Sequence, residues 1–273
     1  MRLQIKRLWS QIVFLIGANL GALGLRTGFC YPFFYCHACP AAPAACPLRA
    51  IEKAFYDYSF EWKLLLYPVL TLGFVGTLTG RAVCGWACPI GFLQRGTGHV
   101  AKKIRKKDFV QKIGQHRIEP FFRYIKYIVL IGTVVVTSYF IKFMFTDICP
   151  VGMIVGTFPL LTVYPGKFVP NDFFIYALVV LILFFILIFI IERGWCRYFC
   201  PIGAILAPFN KVSFVNVEVN QEECLHCNLC SVVCPMGIDV PNMNRDPECI
   251  LCGKCIEKCP AKVIKFERIK WKN

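Results

Sequence analysis

Two stretches, CLHCNLCSVVCP (224–235) and CILCGKCIEKCP (249–260), each set four cysteines in the order C-x2-C-x2-C-x3-C-P. Thiolates at this spacing suit iron–sulfur chemistry. The first three cysteines of a run wrap three corners of a 4Fe–4S cube, and the fourth, before proline, reaches the other cluster. The expected ligand sets are Cys224, Cys227, Cys230 and Cys259 for one cluster, and Cys249, Cys252, Cys255 and Cys234 for the second. Zinc also accepts four thiolates, but the doubled run with its prolines favours clusters. His226, inside the first run, reads as a surface residue rather than a ligand.

A different pair comes earlier. CGWACPIGF (84–92) returns as CRYFCPIGA (196–204). One CxxxC offers two thiolates, half of what a 4Fe–4S cluster needs. Cys84, Cys88, Cys196 and Cys200 make a full set if their segments are neighbours. Pro89 and Pro201 can begin a helical turn without losing a useful donor. Gly91 and Gly203 allow close backbone approach, and N–H groups of such a turn suit cluster sulfurs as acceptors. Trp86 and Trp195 read as aromatic-belt anchors, Arg81 and Arg193 as snorkelling helix ends.

Apolar runs must position these elements. The chain has 273 residues, 57% hydrophobic and 17% charged, where a soluble domain carries about a quarter charged residues. The runs are Leu8–Leu25, Leu64–Val83, Tyr124–Ile141 and Phe173–Ile191, each near the ~20 residues that cross a hydrocarbon core of ~30 Å. The fourth carries no charge; the first is weakest, with Asn19 and glycines inside it, and reads as a retained anchor rather than a signal peptide. Arg123, Lys126 and Lys142 flank the third as snorkelling side chains. The expected fold is therefore a membrane all-α class with four transmembrane helices, residues 1–210, followed by a small α+β domain over 211–273. In that domain the alternating Val215, Val217 and Val219, and later Val263, Ile264 and Phe266, read as short paired strands.

The net charge of +15 is concentrated between the second and third runs, from Arg95 to Arg117, and at Arg2, Lys6 and Arg7. By the positive-inside rule both termini and this loop are cytoplasmic in a multi-pass inner-membrane protein. A nucleic-acid reading of KKIRKK (102–107) has no fold to present it, so no nucleic-acid partner is expected. The rule leaves Cys30, Cys36, Cys39, Cys46 and Cys149 outside. Each run is followed by a cysteine–proline element, at Cys46, Cys88, Cys149 and Cys200, alternately outside and inside, which suggests two similar halves. The outer cysteines leave three readings open: a further cluster on Cys36, Cys39, Cys46 and Cys149, disulfides, or a copper or zinc site. Haem is not expected, because His37, His99, His116 and His226 all lie outside the runs and no C-x-x-C-H occurs.

Together, the four runs, the two CxxxCP elements and the closing pair of ferredoxin runs resemble the NapH/NosR-type membrane polyferredoxins. The resemblance covers nearly the whole chain. It implies a non-haem iron–sulfur subunit passing electrons between the quinone pool, or a cytoplasmic donor, and an extracytoplasmic cytochrome, iron–sulfur or flavoprotein. Whether a quinone binds stays open. So does a second class of role, a copper reductase or assembly factor for a terminal oxidase.

Overall fold

A computed structural model describes residues 2–19, 46–56, 60–104, 119–163 and 173–268. The expectations for Cys30, Cys36, Cys39, His37 and His116, and for much of the basic loop, fall outside them.

The described residues are mostly helical. Helices α1 (Arg2–Asn19), α2 (Pro47–Ala54) and α3 (Trp62–Thr79) come first. α4 (Ala82–Trp86) and α5 (Pro89–Ile104) follow. α6 (Ile125–Phe140) holds a wide-turned π section over Leu130–Val136. After a helical segment over 150–163 come α7 (Phe174–Ile190), α8 (Gly194–Tyr198) and α9 (Pro201–Leu206).

Among the described residues only α3 is both long and apolar enough to cross a bilayer unaided; α6 and α7 are apolar but shorter. At 1.5 Å per residue the 17 residues of α7 span about 25 Å, short of the ~30 Å core. Among the described residues, then, one of the expected spans reaches full length as an apolar helix, and Leu8–Leu25 lies partly outside them. The outward faces are nevertheless greasy. Phe74 on α3 is 67% exposed and Ile175 on α7 is 71% exposed, alongside Leu70, Val179, Ile182 and Leu183. Leu181, Phe184 and Ile188 of α7 point the other way, into the core. α1 is built inside out: Arg7 and Gln11 are buried while Trp9 and Val13 are exposed.

The alternating valines form strand β1 (Val215–Val219), antiparallel to β2 (Ile264–Arg268), with Val217 opposite Phe266. The two strands bracket both cysteine runs. Val217 and Ile264 pack with Val240, Leu251 and Val263 in a small core beside the cysteines.

Candidate metal centres

The tail quartets are built by one backbone device used twice. In each run the residues two and four places after the first cysteine adopt left-handed φ: His226 (46°) and Asn228 (55°), then Leu251 (47°) and Gly253 (68°). Left-handed backbone is disfavoured for side chains other than glycine, and here it curls each run round a space. A short helix, Leu229–Val232 or Lys254–Lys258, then carries the third cysteine and delivers the chain to the fourth. Cys224, Cys227, Cys230 and Cys259 line one cavity, with Leu225 and Ile264. Cys234, Cys249, Cys252 and Cys255 line another, with Met236, Ile238 and Met243.

These thiols are poor places for unaided negative charge. Burial, then neighbouring Cys252 and Cys234, pushes the Cys255 thiol up to about 12. Burial also raises Cys230, Cys234 and Cys249. Four thiolates need cationic metal at their centre, which inverts that electrostatic balance. Among the described residues no three His, Cys, Asp or Glu side chains converge on a single metal ion. Four thiols lining one cavity are a donor set that a 4Fe–4S cluster can take.

The two CxxxC elements meet as well. Cys84, Cys88, Cys196 and Cys200 line a single cavity with Arg81, Ile90, Trp195, Ile202 and Gly203, and all four cysteines are buried. Pro201 opens α9 at its first position, and the Gly203 N–H donates to the Cys200 Sγ at 3.4 Å. Gln94 reaches over from α5 to donate from Nε2 to the Cys196 Sγ at 3.1 Å. Two polar atoms here, Trp195 Nε1 and Gln94 Oε1, have no partner among the described residues. An unpaired buried donor beside four thiols fits a cluster, whose sulfurs accept hydrogen bonds.

Arg81 and Arg193 do not snorkel. They are 0% and 1% exposed and cross between the repeats. Arg81 donates from Nη2 to the Cys196 carbonyl (3.2 Å), while Arg193 donates from Nη1 to the Cys84 carbonyl (2.9 Å) and from Nη2 to the Gly91 carbonyl (3.1 Å). Each CxxxC loop is thus held by the arginine that precedes the other. Gly91 and Gly203 make room, since a Cβ at either would stand 3.0–3.1 Å from a guanidinium nitrogen. Trp195 is no belt anchor either: it is 5% exposed, stacked on Phe199 with Phe184 edge-on. Trp86 is half-buried and donates from Nε1 to the Leu251 carbonyl (2.9 Å).

Sequence reasoning missed what fastens the tail to this site. Glu248 receives Arg81 Nη1 at 2.7 Å and is also bonded by Lys126, a buried lysine of α6 that was expected to snorkel. Burial alone would raise the Glu248 carboxyl, but Arg81 and Lys126 outweigh it and hold it below its ordinary value. Asn210 accepts from the Arg81 N–H (2.7 Å) and donates to the carbonyls of Asp246, Pro247 and Cys249. From the other side, Arg7 and Gln11 of α1 donate to the Gly85 carbonyl, and Gln4 to the Cys252 carbonyl. Charged groups that look like topology markers in the sequence are structural ties.

Of the outer cysteines only Cys46 and Cys149 are described. Both are buried in the same apolar core. Each precedes a proline that opens a helical turn. Glu52 lies beside them, fully buried, accepting from the Thr146 N–H and hydroxyl, while Arg49 pairs with Asp147 at 2.9 Å.

The profile of a 4Fe-4S binding domain family matches residues 64–107 and again 173–216, the two apolar-run-plus-CxxxCP units. An uncharacterized protein of Methanocaldococcus jannaschii is 32% identical over 271 residues, 97% of this chain and 96% of that protein. The ferredoxin-type protein NapH of Haemophilus influenzae is 24% identical over 82% of this chain and 75% of its own length. The regulatory protein NosR of Stutzerimonas stutzeri is 29% identical over 77% of this chain, which spans only 29% of NosR. No solved structure matches. The chain belongs to the NapH/NosR-type polyferredoxin family.

Proposed function

We propose that this protein is a membrane electron-transfer subunit that carries electrons through three or more 4Fe–4S clusters. The ligand sets are the tail quartets Cys224, Cys227, Cys230, Cys259 and Cys249, Cys252, Cys255, Cys234, and the membrane-face quartet Cys84, Cys88, Cys196, Cys200. The observation that carries the reading is that each quartet, chosen on spacing, lines one cavity. The ferredoxin-type name of the NapH relative points the same way. When bound, such clusters take up and release single electrons.

The protein's own part is to hold the sites close and dry. A Cβ on Gly85 would come 2.2 Å from the Ile250 oxygen, so the loop between Cys249 and Cys252 lies directly on the first CxxxC. Apolar side chains such as Ile90, Ile202, Met236 and Ile238 line the two inner cavities and keep water from them, which holds potentials steady.

We place residues 1–210 in the membrane as four spans with both termini cytoplasmic, and 211–273 as the cytoplasmic two-cluster domain. The outward apolar faces of α3 and α7 support lipid contact. Cys46 and Cys149, with Cys36 and Cys39, form the candidate outer site. Electrons would pass between the quinone pool or a cytoplasmic donor and an extracytoplasmic redox partner.

Anaerobically purified protein should hold about twelve irons for three clusters, or about sixteen with the outer one, at four per cluster; a count near eight removes both sites outside the tail. Cys84→Ser and Cys196→Ser should abolish the same EPR signal and leave the tail signals in place. Quinol oxidation coupled to an outer acceptor supports the electron-carrier role, whereas copper reduction without quinone turnover supports the assembly-factor one.

A further inference from the structure

Trp195 brings a buried donor to the membrane-face site and finds nothing to give it to. Its side chain is 5% exposed, and Nε1 has no acceptor among the described residues. Phe199 stacks on the indole at 5.7 Å between centroids and Phe184 meets it at a steep angle at 5.4 Å; neither ring carries a nitrogen, oxygen or sulfur acceptor, and a ring face is only a weak one. What remains beside Trp195 is the cavity it lines with Cys84, Cys88, Cys196 and Cys200. A buried indole N–H left unpaired is costly, so a folded protein rarely retains one without a partner. Gln94, on helix α5, brings a second donor to the site, from Nε2 to the Cys196 Sγ at 3.1 Å.

We propose that Trp195 Nε1–H donates a hydrogen bond to a sulfur of the membrane-face cluster and, with Gln94, sets that cluster's reduction potential. The inference rests on the proposed cluster at this quartet. A cluster gains negative charge on reduction, so a donor aimed at its sulfur stabilises the reduced form more than the oxidised form. Removing the donor therefore lowers the potential. Trp195 is in this sense a positioning and tuning residue: no ligand is lost when it changes. Neither the anchor reading nor a purely packing role gives the N–H any work.

Trp195→Phe keeps an aromatic ring between Phe184 and Phe199 while deleting the donor; Gln94→Leu deletes the second. Both would be poised at graded potentials in the full chain, and the EPR signal that Cys84→Ser abolishes would be followed. We expect its midpoint to move to a more negative value in each variant and further in the double variant, with iron content and the tail signals unchanged. Pulsed EPR in deuterated buffer should also show one exchangeable proton coupled to this signal lost in Trp195→Phe. If the wild type has no signal sensitive to Cys84→Ser, the cluster assignment itself has failed. If that signal exists but Trp195→Phe leaves both its midpoint and its proton coupling untouched, the cluster stands and the role given to Trp195 is overturned.

Discussion

Gly85 and Ile250 touch so closely that a methyl group on Gly85 would overlap the Ile250 carbonyl oxygen at 2.2 Å. One residue belongs to the first CxxxC element and the other to the second ferredoxin run, 165 positions later in sequence. Around that contact the ties are concentrated: Trp86 on Leu251, Arg81 on Glu248, and Arg7 and Gln11 on Gly85 itself. The tail is not a tethered domain free to wander. The loop of its second quartet is seated on the first CxxxC element, while the other tail quartet includes the exposed Cys227.

Gly85→Ala tests that seat. The added carbon has backbone rather than a flexible side-chain end in its way, so the 249–252 loop must move or the variant lose stability by about 1–3 kcal/mol. Spin–spin splitting between the signal of the proposed CxxxC cluster and the adjoining tail signal should weaken, and electron exchange between them should slow, with iron content retained. Unchanged splitting and rate would mean the contact does not set the spacing.

Glu248→Gln should be more damaging than its conservative look suggests. It leaves Arg81 and Lys126, both 0% exposed, without the carboxylate between them, and stranding buried charge costs about 3–5 kcal/mol. Proteolysis in the chain following residue 211 should accelerate, and the unfolding midpoint of detergent-solubilised protein should fall by several degrees. Lys126→Met combined with Glu248→Gln should recover part of the loss, because one unpaired cation is removed with the anion. No recovery in the double variant would argue against a coupled triad.

Much of this arrangement was readable from spacing alone. The local curl of each C-x2-C-x2-C-x3-C-P run gathers its first three cysteines at one cavity, the fourth coming from the other run, and alternating valines declare β1 by their period of two. The arginines were also within reach: Arg81 and Arg193 each stand three residues before the first cysteine of a CxxxC, so the repeat extends further upstream than the cysteines suggest. Treating them as lipid-edge side chains hid that. Glu248 and Lys126 had no comparable signal. Their pairing joins residues 122 positions apart, and nothing in local pattern distinguishes a clamp from a topology charge. Helix lengths were the other gap: hydropathy reports where a run is apolar, whereas the π section over Leu130–Val136, which meets α2, and the left-handed Arg193 after α7, whose guanidinium holds the Cys84 carbonyl, belong to contacts distant in sequence.

Glu52 gives stability a pH dependence. Burial raises its carboxyl from 4.5 to about 7, against the lowering effect of the Thr146 hydrogen bonds. A carboxyl whose folded value is above its unfolded value holds more protons when folded, so its contribution is complete below about 4.5 and is lost as pH rises through about 7. Glu52→Gln cannot ionise and should remove that slope. Unfolding midpoints measured from pH 5 to pH 8 should fall less steeply in the variant than in the wild type. Parallel slopes would show that Glu52 does not titrate in this window.

Cys46 and Cys149 test the proposed outer site. Both are buried and placed ahead of a helix-opening proline like their counterparts Cys88 and Cys200. The same local frame serving the same purpose predicts that Cys46→Ser and Cys149→Ser each lower the iron content by about four atoms and erase one shared EPR signal, leaving the Cys84-dependent signal in place. A disulfide between them would give another result: iron unchanged in both variants, and two thiols becoming alkylatable in the wild type only after reduction. The two outcomes are exclusive, because a sulfur committed to a disulfide has no thiolate left for iron.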